Sequence, residues 1–587
     1  MDEKPKSIWK KSWTGWSWLP AWLFLTAAVF LIFLIIVQFI PGGPRHFLDL
    51  LPAPGINSLV IATVAVGLWA FIRWLFCGRR FKRFLFRLAC FVTLIALVYT
   101  EEDWRGWHAW QKFKQEWEAK GEKFDMAGVT PPPVPEDQNF ALTPIVASSY
   151  EAMLDKAGHE VRPRNTNIVD RLSMITWRDN HWAQKPTFDG WQASKKSDLK
   201  AWQAYFRSPP PPNSVETNSF PVAPQPQSPA DDILLALSKY DLAIEEIRQA
   251  SRLPYSRFPL TYNKENPADI LLPHLAVLKS CAQALNLRAL AELQNGQSGK
   301  AFADVKLSMR LADSIHTEPF LISQLVRIAI LQIALQPVWE GLAEHRWSEE
   351  QLVALDAELV KLDFLTDYKW GLRGETALQG GVIECLQRHP EQMMDPSGDN
   401  YAGQVMPFSA RIIWQMIPAC WFQQNRLHCA RMMVEFFIPL ADVNQRTISP
   451  TLTRRADAAV EADIKHHSPY NILERLLLPA LGNAVKKFAR AQSSVDLTQV
   501  AIALERYRLA HGEFPEALDT LVPQFIAKLP HDIINGQPLH YRRTSDRQFV
   551  LYSVGWNETD DGGEVGLTKN GNLDISTGDW VWRYPAR

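Results

Sequence analysis

Three apolar runs dominate the first hundred residues. Residues 21–40 form an almost unbroken hydrophobic stretch with the single amide Gln38. Residues 56–75 repeat the pattern between Asn57 and Arg73, and residues 84–100 make a shorter run with Arg87 in its first turn. About twenty apolar residues in a helix cross a hydrocarbon layer of roughly 30 Å, so the pattern predicts three transmembrane helices. Arg87 stands close enough to its end to extend its charge to the interface. Beyond residue 100 the period changes. Trp104, Trp107 and Trp110 recur among charges at helical spacing, which predicts that the third helix continues to about Lys120. Two Pro-rich stretches then interrupt the chain, "AGVTPPPVPEDQNFALTP" and the stronger "RSPPPPNSVETNSFPVAPQPQSPADD" from Arg207 to Asp232. Proline lacks an N–H and fixes φ, so the second reads as a semi-rigid spacer.

From Asp232 to about Ile464 apolar residues return at i, i+3, i+4 and i+7. "HLAVLKSCAQALNLRALAEL" and "GKAFADVKLSMRLADSI" are joined by "QNGQSG", the signature of two helices folded back on each other. "RIIWQMIPACWF" and "CARMMVEFFIPL" are short and split by Gln423, Gln424, Asn425, Arg426 and His428, so they predict buried helices rather than further spans. Near the C-terminus, "PLHYRR" and "QFVLYSVG" flank "TSD" as a β-hairpin. The expectation is a mainly α chain: a three-span transmembrane anchor (1–100), a juxtamembrane helical region (101–206), a Pro-rich linker (207–232), an irregular helical array (233–470) and a small C-terminal α+β domain (471–587).

Charge decides orientation but not partner. With 62 Lys and Arg against 63 Asp and Glu, no global field selects nucleic acid, and none is expected as a partner. Locally, Lys4, Lys6, Lys10 and Lys11 precede the first run, and Arg73, Arg79, Arg80, Lys82, Arg83 and Arg87 crowd between the second and third. The first connection holds only Arg45, and the third run leads into Glu101, Glu102 and Asp103. Positive residues stay cytoplasmic, so the amino end is expected inside a bacterial inner membrane and the bulk outside it. Trp9, Trp13, Trp16, Trp18 and Trp22 on one side, and Trp104, Trp107 and Trp110 on the other, fit interfacial anchoring. The six cysteines show no CxxC spacing and read as small buried groups.

Two resemblances add to this picture. The junction from Gly296 to Ala301 resembles the inter-helix turn of tetratricopeptide repeats, without a 34-residue period. More specifically, Pro479, Asp496, Leu504, Tyr507, Gly512, Pro515, Leu518 and Leu521 fall in the order found in the globular region of type II secretion major pseudopilins, over roughly the last 110 residues. That resemblance implies a pilin-like helix and sheet. It also implies a Ca²⁺ site in the loop "LYSVGWNETDDGGEVGLTKNGNLDISTGDW", with Asp561 and Asp574 as carboxylate ligands, Ser553 as a further oxygen and Asp560 as a substitute. The alternative is a solvated acidic loop of Asn-Gly and Gly-Gly turns. An EF-hand is excluded, because its twelfth position would be Thr568. A fibre-forming role is not expected either, since "NILERLL" is amphipathic where a pilin carries its hydrophobic anchor. Independently of the family, Gly512 reads as a helix C-cap and Pro515 as the first turn of a following helix.

No local catalytic signature stands out: G-x-S-x-G, Walker A, H-E-x-x-H and a supported S-x-x-K are absent, and the adjacent His466 and His467 diverge by about 100° on a helix. The expected function is therefore a membrane-anchored extracytoplasmic binding or scaffold protein, with the bilayer and envelope or secretion proteins as partners. A membrane-anchored hydrolase with a site assembled only in the fold is the alternative.

Overall fold

The structure, a computed structural model, describes residues 79–147, 190–208, 220–389, 417–465, 468–473 and 481–584, together with 152–154, 160–163, 175 and 185–186. The expected spans 21–40 and 56–75, the tryptophans before them, His466 and His467 lie outside the described residues. The chain is mainly helical. Two compact units are distinguished, Met1–Glu102 and Asp103–Arg587.

Helix α1 (Arg79–Glu118) covers the third apolar run and its continuation. Three described helices are long and apolar enough to cross a membrane: Lys82–Glu118, Pro267–Gln294 and Leu321–Ala343. They differ in what covers them. The apolar window of the first is 0% buried, whereas 56% and 61% of the windows of the other two are buried by the protein itself. Phe86, Phe91, Leu94 and Leu97 of α1 are more than half exposed, a surface that water penalises and lipid does not.

Within the second unit, α2 (Leu199–Arg207), α3 (Pro229–Leu237) and α4 (Asp241–Ala250) lead into α5 (Pro273–Gln294), α6 (Ser298–Asp313) and α7 (Leu321–Ala343). The α5–α6 pair is the one predicted from "QNGQSG". Gly296 adopts φ +71° in the turn, a conformation that favours glycine. Then come α8 (Glu349–Leu359), started by a capping box between Ser348 and Gln351, α9 (Phe364–Arg388), α10 (Ala419–Arg431), α11 (Pro450–Lys465) and α12 (Leu481–His511). Cys420 and Phe422 of the first run and Met433, Val434 and Phe437 of the second are buried, so these residues are core, while Phe436 is exposed.

The strands are short: β1 (Ala152–Leu154) with β2 (Glu160–Pro163), β3 (Ala441–Asp442) with β4 (Thr447–Ile448), and five more after α12. There β5 (His540–Arg543), β6 (Phe549–Ser553) and β9 (Trp580–Arg583) form an antiparallel sheet in the order β5-β6-β9, beside a hairpin of β7 (Val565–Leu567) and β8 (Leu573–Gly578). The β5–β6 hairpin turns at the predicted place. Gly512 has φ +84° and its N–H closes onto the Arg508 carbonyl, the predicted cap. Pro515, however, begins no helix. It lies in an irregular segment where its carbonyl accepts from the Tyr541 hydroxyl at 2.6 Å, and only a 3₁₀ turn follows at Leu518–Leu521.

Helix α12 organises the unit. It packs on α7, α8, α9 and α11 and on strands β6 and β9, and it is buried around its whole circumference from Phe488 to Val495. One core joins Trp110 of α1, Trp339 of α7, Leu355 of α8, Phe488 and Leu504 of α12 and Trp582 of β9. A second lies among α2 to α7, around Trp202, Ile233, Leu285 and Leu311. Each fully buried side chain of this size contributes about 1.5–3 kcal/mol.

The far end of α1 belongs to the first core. Trp110, expected at the membrane interface, is instead buried in this core, where it packs edge-on to Phe124 and lies under the Arg426 guanidinium at 4.3 Å. Asp103 accepts from the Cys420 N–H at 2.7 Å, placing a carboxylate on the positive end of α10. Gly106 crosses α10 so closely that a Cβ would stand 2.8 Å from the Cys420 Cβ. Gly106→Leu is expected to lower stability by about 1–3 kcal/mol, read as a reduced urea midpoint of tryptophan fluorescence. Gly299→Ala, where a Cβ meets nothing within 4 Å, is the control and leaves the midpoint unchanged or raises it.

Candidate functional site

The C-terminal acidic loop is ordered by two carboxylates that the sequence does not single out. Asp532 is 1% exposed and accepts from the N–H groups of Ile534 and Val554 and from the Ser553 hydroxyl, each at 2.9 Å. Burial pushes its carboxyl up, while those three donors pull it down. Asp579, also buried, accepts from the N–H groups of Asp561 at 3.2 Å and Gly563 at 2.6 Å. Gly562 and Gly563 reach φ +73° and +83°, which swings their backbone round onto that carboxylate.

The expected calcium ligands are distributed around this frame. Ser553 donates inward to Asp532. Asp561 accepts from the Asn557 side-chain amide at 2.7 Å. Asp560 accepts from the Gly562 N–H at 2.9 Å, which holds its carboxyl below the ordinary value, and from the Tyr552 hydroxyl at 3.1 Å. Asp574 accepts from the Ser576 N–H at 2.9 Å, again lowering its carboxyl. Among the described residues no group of three or more His, Cys, Asp or Glu is placed to hold a metal ion.

Helix α12 carries two unusual buried charges. Asp496 accepts from Gln492 at 2.9 Å and Arg446 at 3.2 Å, yet burial pushes its carboxyl up to about 6. His531 and Asp532 also act on it, in opposite directions. Arg490 lies 5.3 Å from the ring centre of Trp580 and 5.9 Å from that of Trp191, with Nε and Nη1 lacking hydrogen-bond partners. Burial lowers its guanidinium to about 9.

One trio has the composition of a hydrolytic site. His274 Nε2 lies 2.7 Å from Glu318 Oε1, and the Ser323 hydroxyl donates to Glu318 Oε2. Both contacts end on the carboxylate, so the histidine does not serve as base to the serine. His274 stacks on Phe258, the three groups are almost fully buried, and together they brace the starts of α5 and α7.

A different feature is open to solvent. A cavity of about 600 Å³ lies among α4, α6, α7 and the turn between α8 and α9. Phe302, Leu307, Leu331 and Phe364 supply its apolar lining. Its cations are Arg248, Arg252, Lys306, Arg310, Arg327 and Lys361, against the carboxylates Asp313 and Glu358. Lys306 and Lys361 share Glu358 at 3.3 and 2.6 Å, while Arg310 spreads its donors over Asp313 at 2.9 Å and the Leu253 carbonyl at 2.8 Å. Arg248 reaches out of the cavity to Asp304 at 2.6 Å. Arg327 is 3% exposed; it donates from Nη1 to Asp367, its guanidinium stands 5.0 Å from the Phe364 ring centre, and its Nε has no partner. Five of the six cations are thus engaged by carboxylates, and the surface combines paired charges with apolar side chains. Comparison of the chain with protein-family models, curated proteins and solved structures finds no match.

Asp496 makes stability depend on pH. Its folded carboxyl titrates near 6 and its unfolded one near 3.8, so the folded state holds the proton more tightly across that interval. Stability from this group is present at acid pH and is lost as pH rises from about 4 to 6. Asp496→Asn is expected to flatten that slope and to raise the neutral-pH melting temperature, the effect being at most about 3 kcal/mol. Arg446, with its side chain 42% exposed, keeps its hydration in the variant. Asp579→Ala leaves two inward backbone donors unpaired and is expected to cost about 1–3 kcal/mol, with amide exchange accelerating at Asp561 and Gly563.

Proposed function

We propose that the chain is a membrane-anchored binding or scaffold protein of the bacterial envelope whose helical body receives a partner protein in the groove among α4, α6, α7 and the turn between α8 and α9. The groove is the observation that carries this reading: it is open and lined by apolar side chains next to paired charges, a combination suited to recognition. Anchoring is supported by the exposed apolar surface of α1 and by the two further apolar runs at 21–40 and 56–75. The uneven spread of Lys and Arg supports an inner-membrane location with residues after 100 outside the cytoplasm. A long helix followed by a small antiparallel sheet supports the pseudopilin-like reading of the last 110 residues, and with it an association with secretion machinery.

Crosslinking in native membranes followed by mass spectrometry tests the binding role. Recurrent crosslinks from the groove to one envelope protein are expected, and a groove that yields none overturns it. Protease added to intact spheroplasts is expected to degrade everything after residue 100; protection until lysis would reverse the orientation. Calcium binding by the C-terminal loop belongs to the same proposal. Ca²⁺ is expected to raise the melting temperature of the full chain and Asp561→Asn to remove the shift, whereas no shift eliminates calcium.

A further inference from the structure

We propose that the compact unit Asp103–Arg587 makes a second, non-spanning contact with the bilayer, in which Trp421, Tyr470 and Ile472 join Trp104 and Trp107 at headgroup depth in the leaflet that α1 leaves after Thr100. This goes beyond the anchoring reading above and rests on its claim that α1 crosses the membrane.

Helix α1 itself sets the depth. Its exposed apolar run ends near Thr100, and the helix continues unbroken to Glu118. At about 1.5 Å per residue, Asp103 and Gly106 stand roughly 5 and 9 Å beyond that end, a stretch that covers the headgroup layer and its outer edge. Both residues meet Cys420 in the first turn of α10: Asp103 accepts its N–H at 2.7 Å, and Gly106 passes so close that a Cβ would stand 2.8 Å from the Cys420 Cβ. Trp421, the next residue of α10, is carried at the same level. The turn beside it is built to present an apolar side chain outward. Asn425 of α10 donates to the Pro469 carbonyl at 2.8 Å and accepts from the Leu473 N–H at 2.8 Å. Asn471 and Leu473 are buried, whereas Ile472 between them is 53% exposed. The Tyr470 ring meets Trp421 edge-on at 6.4 Å between centres. A pinned turn that holds an isoleucine outward is penalised by water and not by lipid. Trp104 and Trp107, next to Asp103 and Gly106, are more than half exposed and continue the lipid-facing surface of the run before them. That continuity selects the bilayer as the occupant, since the patch begins at the depth where the apolar surface of α1 ends. Tryptophan and tyrosine are best solvated there, each an apolar ring with one polar atom. Because α1 already tethers the unit, the contact forms at high effective concentration and needs little affinity of its own.

The test uses the full chain in nanodiscs of phosphatidylethanolamine and phosphatidylglycerol, with Cys77→Ser and Cys90→Ser to remove competing thiols and a nitroxide label at Ile472→Cys. Cys281, Cys385, Cys420 and Cys429 are buried and stay unlabelled. Ile472 is exposed, so the labelled chain is expected to keep its melting temperature. Collisions with oxygen, which enters lipid, and with the chelate NiEDDA, which stays in water, report the surroundings of the label. The oxygen-to-NiEDDA ratio at 472 is expected to lie several-fold above that of a label at Val360→Cys, an exposed position beside Lys361, and below that of a label at Leu94→Cys in the apolar run of α1. A water-like ratio at 472 overturns the proposal. So does a label shielded from both reagents, which marks cover by protein. A lipid-like label at 94 with a water-like one at 472 sinks this inference alone, whereas a water-like label at 94 sinks the anchoring reading with it.

Discussion

The structure depends on burying the polar middle of α12. Between Phe488 and Glu505, α12 carries Arg490, Gln492, Ser493, Ser494, Asp496, Thr498 and Glu505 at core depth, where each polar group needs a partner or a compensating surface. Most have one. Gln492 accepts from the Phe364 N–H and donates to Asp496, so a single amide joins the start of α9 to a buried carboxylate. Ser494 and Thr498 return their hydroxyls to carbonyls one turn back. Glu505 is held by Arg508 on its own helix and by His345 from the end of α7. Apolar residues between them supply the free energy, and the polar ones fix which neighbour sits where.

This is also why the sequence was legible in some places and not in others. The α5–α6 pair and the β5–β6 hairpin were readable because each rests on a local turn, at Gly296 and at Thr544 to Asp546. Gly512 was readable for the same reason. The polar run Gln492 to Thr498 looks like a solvent face in a helix with a Leu and Val stripe. Only α7, α8, α9, α11 and the sheet, arriving from distant parts of the chain, turn it into core. Pro515 misled because its backbone angle suits a helix start, whereas the hydroxyl of Tyr541 and the hairpin set its surroundings. The groove had no local signal, since its cations come from four separate places along the chain and look like ordinary helix-surface charges.

The acidic tail illustrates the same limit. Its many carboxylates draw attention to Asp560, Asp561 and Asp574, yet the loop is shaped by Asp532 and Asp579, which are buried and accept backbone N–H groups. Asp532 meets Ser553 across 21 residues of sequence. Asp579 stands immediately before an aromatic strand and opposite a Gly-Gly turn, the one local hint that its side chain faces inward. In both cases a carboxylate stabilises a turn as a bound anion would, by gathering donors that the strands leave unpaired.

Arg490 carries one more implication. Its guanidinium lies near the rings of both Trp191 and Trp580, and Trp191 in turn touches Trp582 at 5.0 Å between ring centres. These rings come from distant segments of the chain. During synthesis the arginine therefore emerges before strand β9 exists to pack on it. A ribosome-bound intermediate that lacks β9 would display unpaired charge at a place the folded protein buries.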